Sequence, residues 1–433
     1  MWRKCSLDSA ILLMISLTMQ KTVSHSINCT SQRDREKSTF LWSIESSDGA
    51  KNYMFGTIHV PFTEVWEHVS ERVKEAFKKA NSIVFELDLH NPSTIETLVK
   101  CKNMPTGDDV SCYLPAKLYA RLKHYIRKYR QRLASWSNRV VSNKIEAKKR
   151  ARHIYNSVAG GWEQRRPVWL LFLLYQLSEK FAQSEHIPML DLYLAQYAIE
   201  SNKRLLSIET PIEQCNPLSS VDREQLLFAI NYTLSYLEFE QDRLSKRSTD
   251  DGNTGLPDLI HHYNCGSLEA STFSLDSKRF NHLGFSLSPD LDRKAQQIDI
   301  QLREDIIVKR NVRMAKRIAS LLRRADTNHY FFALGAGHFL GENSVLELLK
   351  EHGFTIRAVT EKDHINFPQQ LNDKRFQKFS ELWIREIPHP HDPTIDISVS
   401  VIELSSTHPV SQYAAHQFLL LITCLLISLT RYR

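Results

Sequence analysis

The chain lacks the short signatures that betray most hydrolases and nucleotide enzymes. No HExxH pair, GxSxG elbow or glycine-rich phosphate loop occurs in its 433 residues, which disfavours zincin, α/β-hydrolase and nucleotide-dependent chemistry. Basic residues crowd the stretch Lys117 to Arg152, yet no nucleic-acid-binding module accompanies them, so no nucleic-acid partner is expected. That stretch reads as a solvated helical face, with a surface for an acidic partner as the alternative. The interior also lacks an apolar run long enough to span a bilayer; Val168 to Leu177, opened by Pro167, suits a buried core helix instead. With 42% hydrophobic and 24% charged residues, the chain is no disordered polymer.

Long apolar runs occur only at the two ends. Arg3 and Lys4 precede the run Ala10 to Met19, and Ser24 and Ser26 follow it, the pattern of a signal peptide over residues 1–26. Residues 413–430 form a C-terminal membrane segment, and Arg431 and Arg433 in the tail 431–433 give a single-pass type I topology at the cell membrane with the bulk of the chain outside. Ser405-Ser406-Thr407, a polar spacer and the short apolar end also fit a GPI-attachment signal, so the anchor has two readings. Pro388-His389-Pro390-His391 opens a stalk over residues 387–412.

Cysteine is sparse. Cys5 falls in the leader and Cys424 in the tail, leaving Cys29, Cys101, Cys112, Cys215 and Cys265, an odd set that leaves at least one unpaired within the chain. Cys101 and Cys112 flank a turn-rich loop and are the expected bridge. The sequons at Asn28 and Asn231 suit an exported glycoprotein.

Two strings near opposite ends share one construction. Tyr53-Met54-Phe55-Gly56-Thr57-Ile58-His59 and Phe331-Phe332-Ala333-Leu334-Gly335-Ala336-Gly337-His338 each read as a buried strand ending in Gly-x-x-His. Gly56 and Gly335 are expected to let the backbone turn as it leaves the sheet. A helix from Glu64 to Ala80 and a strand Ile83 to Leu89 follow the first string; a helix near Asn343 to Glu351 and a strand Thr355 to Val359 follow the second. Matching β-turn-α-β units imply an α/β fold with a parallel or mixed central sheet, flanking helices and a large helical insertion between the units. Ser245 to Pro257 is the most loop-like stretch of that insertion.

Ligands of open parallel sheets bind beyond the carboxyl ends of the strands, where both histidines fall. His59 and His338 would supply two imidazoles to a divalent metal. A carboxylate must complete the set, and Glu86, Asp88 and Glu209 each lie on or at the end of an expected strand. Glu86 is the first choice because a carboxylate within an apolar strand is costly unless paired or bound to a cation; on a strand it shares a face with Asp88. Plainer readings exist. A histidine after a strand is ordinarily a satisfied hydrogen-bonding residue, Glu209 suits a helix cap, and Glu86 or Asp88 suits an ion pair with Arg310 or Arg313.

Taken together, Phe55 to Pro61, Phe85 to Leu89, Met189-Leu190-Asp191, Ile208-Glu209-Thr210, Arg310-Asn311 and Gly335 to His338 resemble the TraB/PrgY superfamily. Within it the pattern is most similar to the Tiki membrane metalloproteases, over residues 38–386. The resemblance implies a protease dependent on a divalent cation, Mn or Co, that clips the amino-terminal region of Wnt proteins and dampens Wnt signalling. It maps His59, His338 and Glu86 onto the metal site, with Glu86 as ligand or as base, and marks Arg310 and Glu209 as further polar positions. A membrane-tethered protein that sequesters an extracellular ligand without cleaving it is the alternative.

Overall fold

A computed structural model describes residues 38–367 except 48, 178–186, 216–217, 219, 247–255, 269–287 and 325–327. The leader, Asn28, the stalk and the apolar tail lie outside the described residues. No described helix is long and apolar enough to cross a membrane.

Six strands form one mixed sheet in the order β4-β3-β5-β2-β1-β6. They are β1 (Leu41–Glu45), β2 (Lys51–Thr57), β3 (Ser82–Phe85), β4 (Arg204–Ser207), β5 (Tyr330–Gly335) and β6 (Thr355–Ala358). β4, β3, β5 and β2 run parallel, whereas β1 is antiparallel to both β2 and β6. The expected α/β class holds, and the mixed character comes from β1, which the sequence pattern did not reveal.

Side chains alternate along the central strands because successive residues of a strand point to opposite faces. Tyr53, Phe55, Ile83, Phe331 and Ala333 face one core, and Met54, Val84, Phe332 and Leu334 face the other. Helices cover both faces, which is why these strands read as continuous apolar runs. Helix α1 (Glu71–Lys79) buries Val73, Ala76 and Phe77 on the first face. The expected helix over Glu64 to Ala80 is in fact broken. Two single 3₁₀ turns, Phe62–Glu64 and Trp66–His68, precede α1. Val69 is extended there, and the Ser70 side chain accepts from Arg72 N to start the helix anew.

Helices α2 (Pro92–Lys102), α3 (Ala116–Val140), α4 (Lys144–Ala159) and α5 (Pro167–Gln176) form the insertion, whose core is shared with helices later in the chain. The chain returns to the sheet through α6 (Leu190–Glu200), β4 and α7 (Pro211–Cys215), then continues in α8 (Arg223–Lys246), α9 (Leu256–Asn264) and α10 (Pro289–Arg303). Asn231 is exposed on α8 with Thr233 buried, so this sequon sits in a helix rather than in a surface loop. A π-helical turn, Glu304–Val308, joins α10 to α11 (Lys309–Leu322), making one helical path. α12 (Val345–Glu351), capped by Ser344 and followed by Gly353 at φ 90°, completes the second unit as expected.

Two expectations need correction. Cys101 bridges Cys215, not Cys112, with a Cα–Cα distance of 5.6 Å; α2 packs beside α7, whereas Cys112 sits exposed and free in a separate turn. Gly56 does not turn the chain, since it lies inside β2. A Cβ there would stand 3.2 Å from Ala336 and 3.3 Å from the Phe339 ring, so Gly56 makes room for the turn that carries His338. The disulfide closes a loop spanning 114 residues. Cys215→Ala is therefore expected to lower unfolding stability by about 2–5 kcal/mol, and Cys112→Ala to leave it within about 0.5 kcal/mol, as read by denaturant titration of the oxidised proteins.

Candidate metal site

Each of the four parallel strands delivers one polar residue just past its carboxyl end. His59 follows β2, Glu86 follows β3, Glu209 follows β4, and His338 ends the 3₁₀ turn Ala336–His338 after β5. Pairing of Thr57 with Gly335, and of Phe85 with both Ala333 and Ser207, brings these ends to one edge of the sheet. Glu86 thus lies beyond the strand rather than within it. All four side chains are buried.

Both imidazoles are held by their Nδ1 side. His59 Nδ1 lies 2.5 Å from Asp191 Oδ2, in the first turn of α6, and the Thr57 hydroxyl donates to the other oxygen of Asp191 at 2.7 Å. His338 Nδ1 lies 2.6 Å from Asn311 Oδ1 on α11, and the Asn311 amide donates to the Asn343 carbonyl at 2.8 Å. That second bond fixes Asn311 Oδ1 as the acceptor, so His338 donates from Nδ1 and its Nε2 carries the lone pair. Nε2 of His59 and Nε2 of His338 are both buried without a hydrogen-bond partner. Oxygen acceptors behind Nδ1 and bare Nε2 atoms in front are what metal-binding histidines show.

The acid residues are tied to a buried guanidinium. Arg310 Nη2 donates to Glu86 Oε2 at 2.7 Å and to Glu209 Oε2 at 2.6 Å, and its Nε donates to Glu209 Oε1 at 2.9 Å. Glu86 Oε1 accepts from the Gly335 N–H at 2.9 Å and stands 3.5 Å from His338 Nε2. Gln214 donates to Glu209 at 2.8 Å. Asp88 is not part of this network; it is half-buried, and its carboxylate accepts from His90 N at 3.0 Å to shape a turn.

Charge follows from this packing. Burial opposes ionisation of Glu86, but Arg310, the two histidines and the Gly335 N–H outweigh it and hold the carboxyl at about 2. Burial likewise lowers His338 to about 4, so that it is neutral near pH 7. Burial also disfavours charged His59, but the Asp191 carboxylate overcomes it and raises the group above its ordinary value. Asp191, Glu86 and Glu209 gather around Arg310, with the part-exposed Arg313 3.7 Å from Glu209, an acid-rich buried set that a divalent cation would help to balance. The imidazole pair and this charge fit such an ion. Among the described residues, however, no three His, Cys, Asp or Glu side chains converge as a complete ligand set. Glu86, the nearest carboxylate, is turned into Arg310 and the Gly335 N–H.

The sequence reading named His59, His338, Glu86, Glu209 and Arg310, and the fold brings them together. Asp191 and Asn311 stood in the resemblance strings without a role. Each acts through a histidine rather than by itself, so neither carried a signal beyond its place in those strings.

A family model for the TraB/PrgY/gumN family matches residues 40–358. The chain belongs to this family. It is 38% identical over 377 residues to Metalloprotease TIKI2 of Danio rerio, covering 87% of this chain and 68% of the relative. It is 37% identical over 353 residues to Metalloprotease TIKI1 of Xenopus tropicalis, covering 80% and 67%. To Metalloprotease TIKI2 of Xenopus tropicalis it is 40% identical over 323 residues, covering 73% of this chain and 59% of that relative. The chain thus spans about three fifths to two thirds of these relatives' lengths. No solved structure matches the chain significantly.

Two outcomes follow from the geometry. Arg310→Met would leave Glu86 and Glu209 together without the buried cation between them and is expected to cost about 3–5 kcal/mol of stability, partly recovered by adding Glu209→Gln, as measured by urea unfolding. In metal-free protein, unfolded His338 binds its proton near pH 6.5 and folded His338 only near 4, so the unfolded state holds more protons between those values. Its contribution to stability is therefore present above pH 6.5 and lost as the pH falls toward 4. His59, with its raised value, acts in the opposite sense, so the difference between wild type and His338→Gln isolates this slope in denaturant titrations at pH 7.5, 6 and 5.

Proposed function

We propose that this protein is an extracellular, membrane-anchored protease that removes the amino-terminal region of Wnt proteins and so restrains Wnt signalling. Kinship with proteins named metalloproteases makes the chain a metal-dependent peptidase. The observation that carries the site is the pair of buried, unpartnered Nε2 atoms on His59 and His338. Mn or Co is the proposed ion, in keeping with the Tiki resemblance. The resemblance also motivates Wnt as substrate, and the leader and apolar tail motivate a type I or lipid-anchored position outside the cell.

A bound divalent ion supplies Lewis-acid polarisation of the scissile carbonyl and a water made acidic near neutral pH. The chain's own residues prepare for it. Asp191 and Asn311 orient the two imidazoles so that each presents Nε2 to the same edge of the sheet. His338 stays neutral, leaving its lone pair available. Glu86 is poorly suited to take a proton, because a carboxylate held at about 2 is a weak base compared with one poised near the working pH. Its better role is negative charge, as ligand or close neighbour of the ion, with Arg310 fixing its position. Asp88, Asp191 and Glu86 line one small cleft with His59.

One observation favours a second reading. The lack of a third converging ligand among the described residues suits a tethered protein that captures a ligand without cleaving it. Incubating the purified protein with Wnt proteins, with and without chelator, separates the two. The protease reading expects an amino-terminally shortened Wnt, loss of cleavage with chelator, and recovery with added Mn or Co. His59→Ala and His338→Ala should each abolish cleavage while secretion stays near normal. Intact Wnt retained on the protein under all conditions would support the binder and overturn the protease.

A further inference from the structure

The helical hairpin of α3 and α4 departs from the charge pattern of the rest of the chain. Residues 116–159 hold thirteen Lys and Arg and a single carboxylate, Glu146, a net charge of +12 against +7 for the whole protein, so the remainder carries −5. An ordinary solvated helix face interleaves signs and pairs them at i,i+3 or i,i+4. The same protein does so on α1, where Arg72 and Lys79 meet Glu75 and Lys74 meets Glu71, and on α2, where Lys100 meets Glu96. On the hairpin, Arg121 pairs with Glu238 and Lys123 with Glu163. Among the described residues, no carboxylate pairs with Lys128, Lys144, Lys148, Lys149 or Arg152.

Geometry gathers these cations. Lys123, Arg127 and Arg130 recur at i, i+4 and i+7 on α3, and Lys148, Arg152 and Tyr155 recur at the same spacing on α4, so each set forms one row along its helix. The Arg130 guanidinium lies over the Tyr155 ring at 5.0 Å, which sets the two rows against one another. The opposite faces are apolar: Leu122, Tyr125, Ile126 and Tyr129 of α3 and Ala151, Ile154 and Val158 of α4 are buried in the core of the insertion. The cationic rows are therefore held on a rigid support rather than on a tail.

We propose that this hairpin is a docking surface for a linear sulfated polysaccharide. Two rows of mostly arginine and lysine suit a partner that presents closely spaced anions along a chain, because each cation engaged releases a bound counterion. The Cys101–Cys215 disulfide places the insertion in an oxidising compartment, where sulfated polysaccharides are the abundant polyanions and nucleic acid is not. An acidic membrane fits less well. Anionic lipid is concentrated in the cytoplasmic leaflet, and Ile145 is the one large apolar side chain on the hairpin that stands out as exposed among the described residues.

The test uses the full-length protein in neutral detergent, with chelator present, so that peptidase activity plays no part. Its affinity for heparin is measured across a salt series beside duplex DNA and phosphatidylserine vesicles. Heparin is expected to bind tightest, with Lys148→Glu/Arg152→Glu weakening it by about tenfold or more and Lys316→Glu/Lys350→Glu, matched in charge but outside the hairpin, leaving it within about twofold. Lys148→Gln/Arg152→Gln should weaken binding less and in the same direction, which guards against a folding defect in the reversed variant. Equal losses in the hairpin variant and its matched control, no binding to heparin, or tighter binding to DNA or to the vesicles would each overturn the proposal.

Discussion

The architecture of the site depends on one buried guanidinium. Arg310 stands between Glu86 and Glu209, the residues that follow β3 and β4, and it reaches them from α11. Two carboxylates at adjacent strand ends would repel one another in a dry interior, and the guanidinium between them offsets that repulsion. With it, Glu86 is fixed close enough to accept the Gly335 N–H at the end of β5. One side chain thereby locks the ends of three strands and α11 together. The π-helical turn immediately before α11 belongs to the same device, since a local change in helical winding resets the direction in which the following residues project.

The histidines sit on this frame through neighbours of a different kind. Asp191 arrives on the helix that follows the insertion, and Asn311 is adjacent to Arg310 on α11. A charged partner behind His59 and a neutral one behind His338 give the two rings opposite proton affinities, although both are buried. His338, neutral near pH 7, is the ready electron-pair donor. Gly56 contributes by what it lacks, because a side chain there would push the turn carrying His338 away from β2.

Much of this was legible in the sequence, because strand ends in parallel sheets fall in predictable places. The apolar runs before His59 and His338 marked β2 and β5, and Pro167 marked a helix start that the fold respects. What escaped has physical reasons. β1 is short and carries polar residues on a strand with few distinguishing neighbours, so its periodicity is weak. The helix after Pro61 is interrupted because Val69 is extended and Ser70 caps anew, which periodicity cannot see. Sequence proximity favours Cys112 as the partner of Cys101, yet bridges form between side chains that packing brings together, and α7 supplies Cys215. Asp191 and Asn311 act only through the histidines, so nothing local to them announces a role.

Joint binding of one divalent ion by the two Gly-x-x-His imidazoles is the property on which the proposed chemistry depends. Metal stoichiometry of the purified protein after equilibration with Mn or Co, measured for wild type, His59→Ala and His338→Ala, tests this without reference to any substrate. One ion per chain in wild type, lost in each single variant while the circular dichroism spectrum is preserved, is the predicted result. An ion retained in either folded variant, or none bound to the wild type, would contradict it.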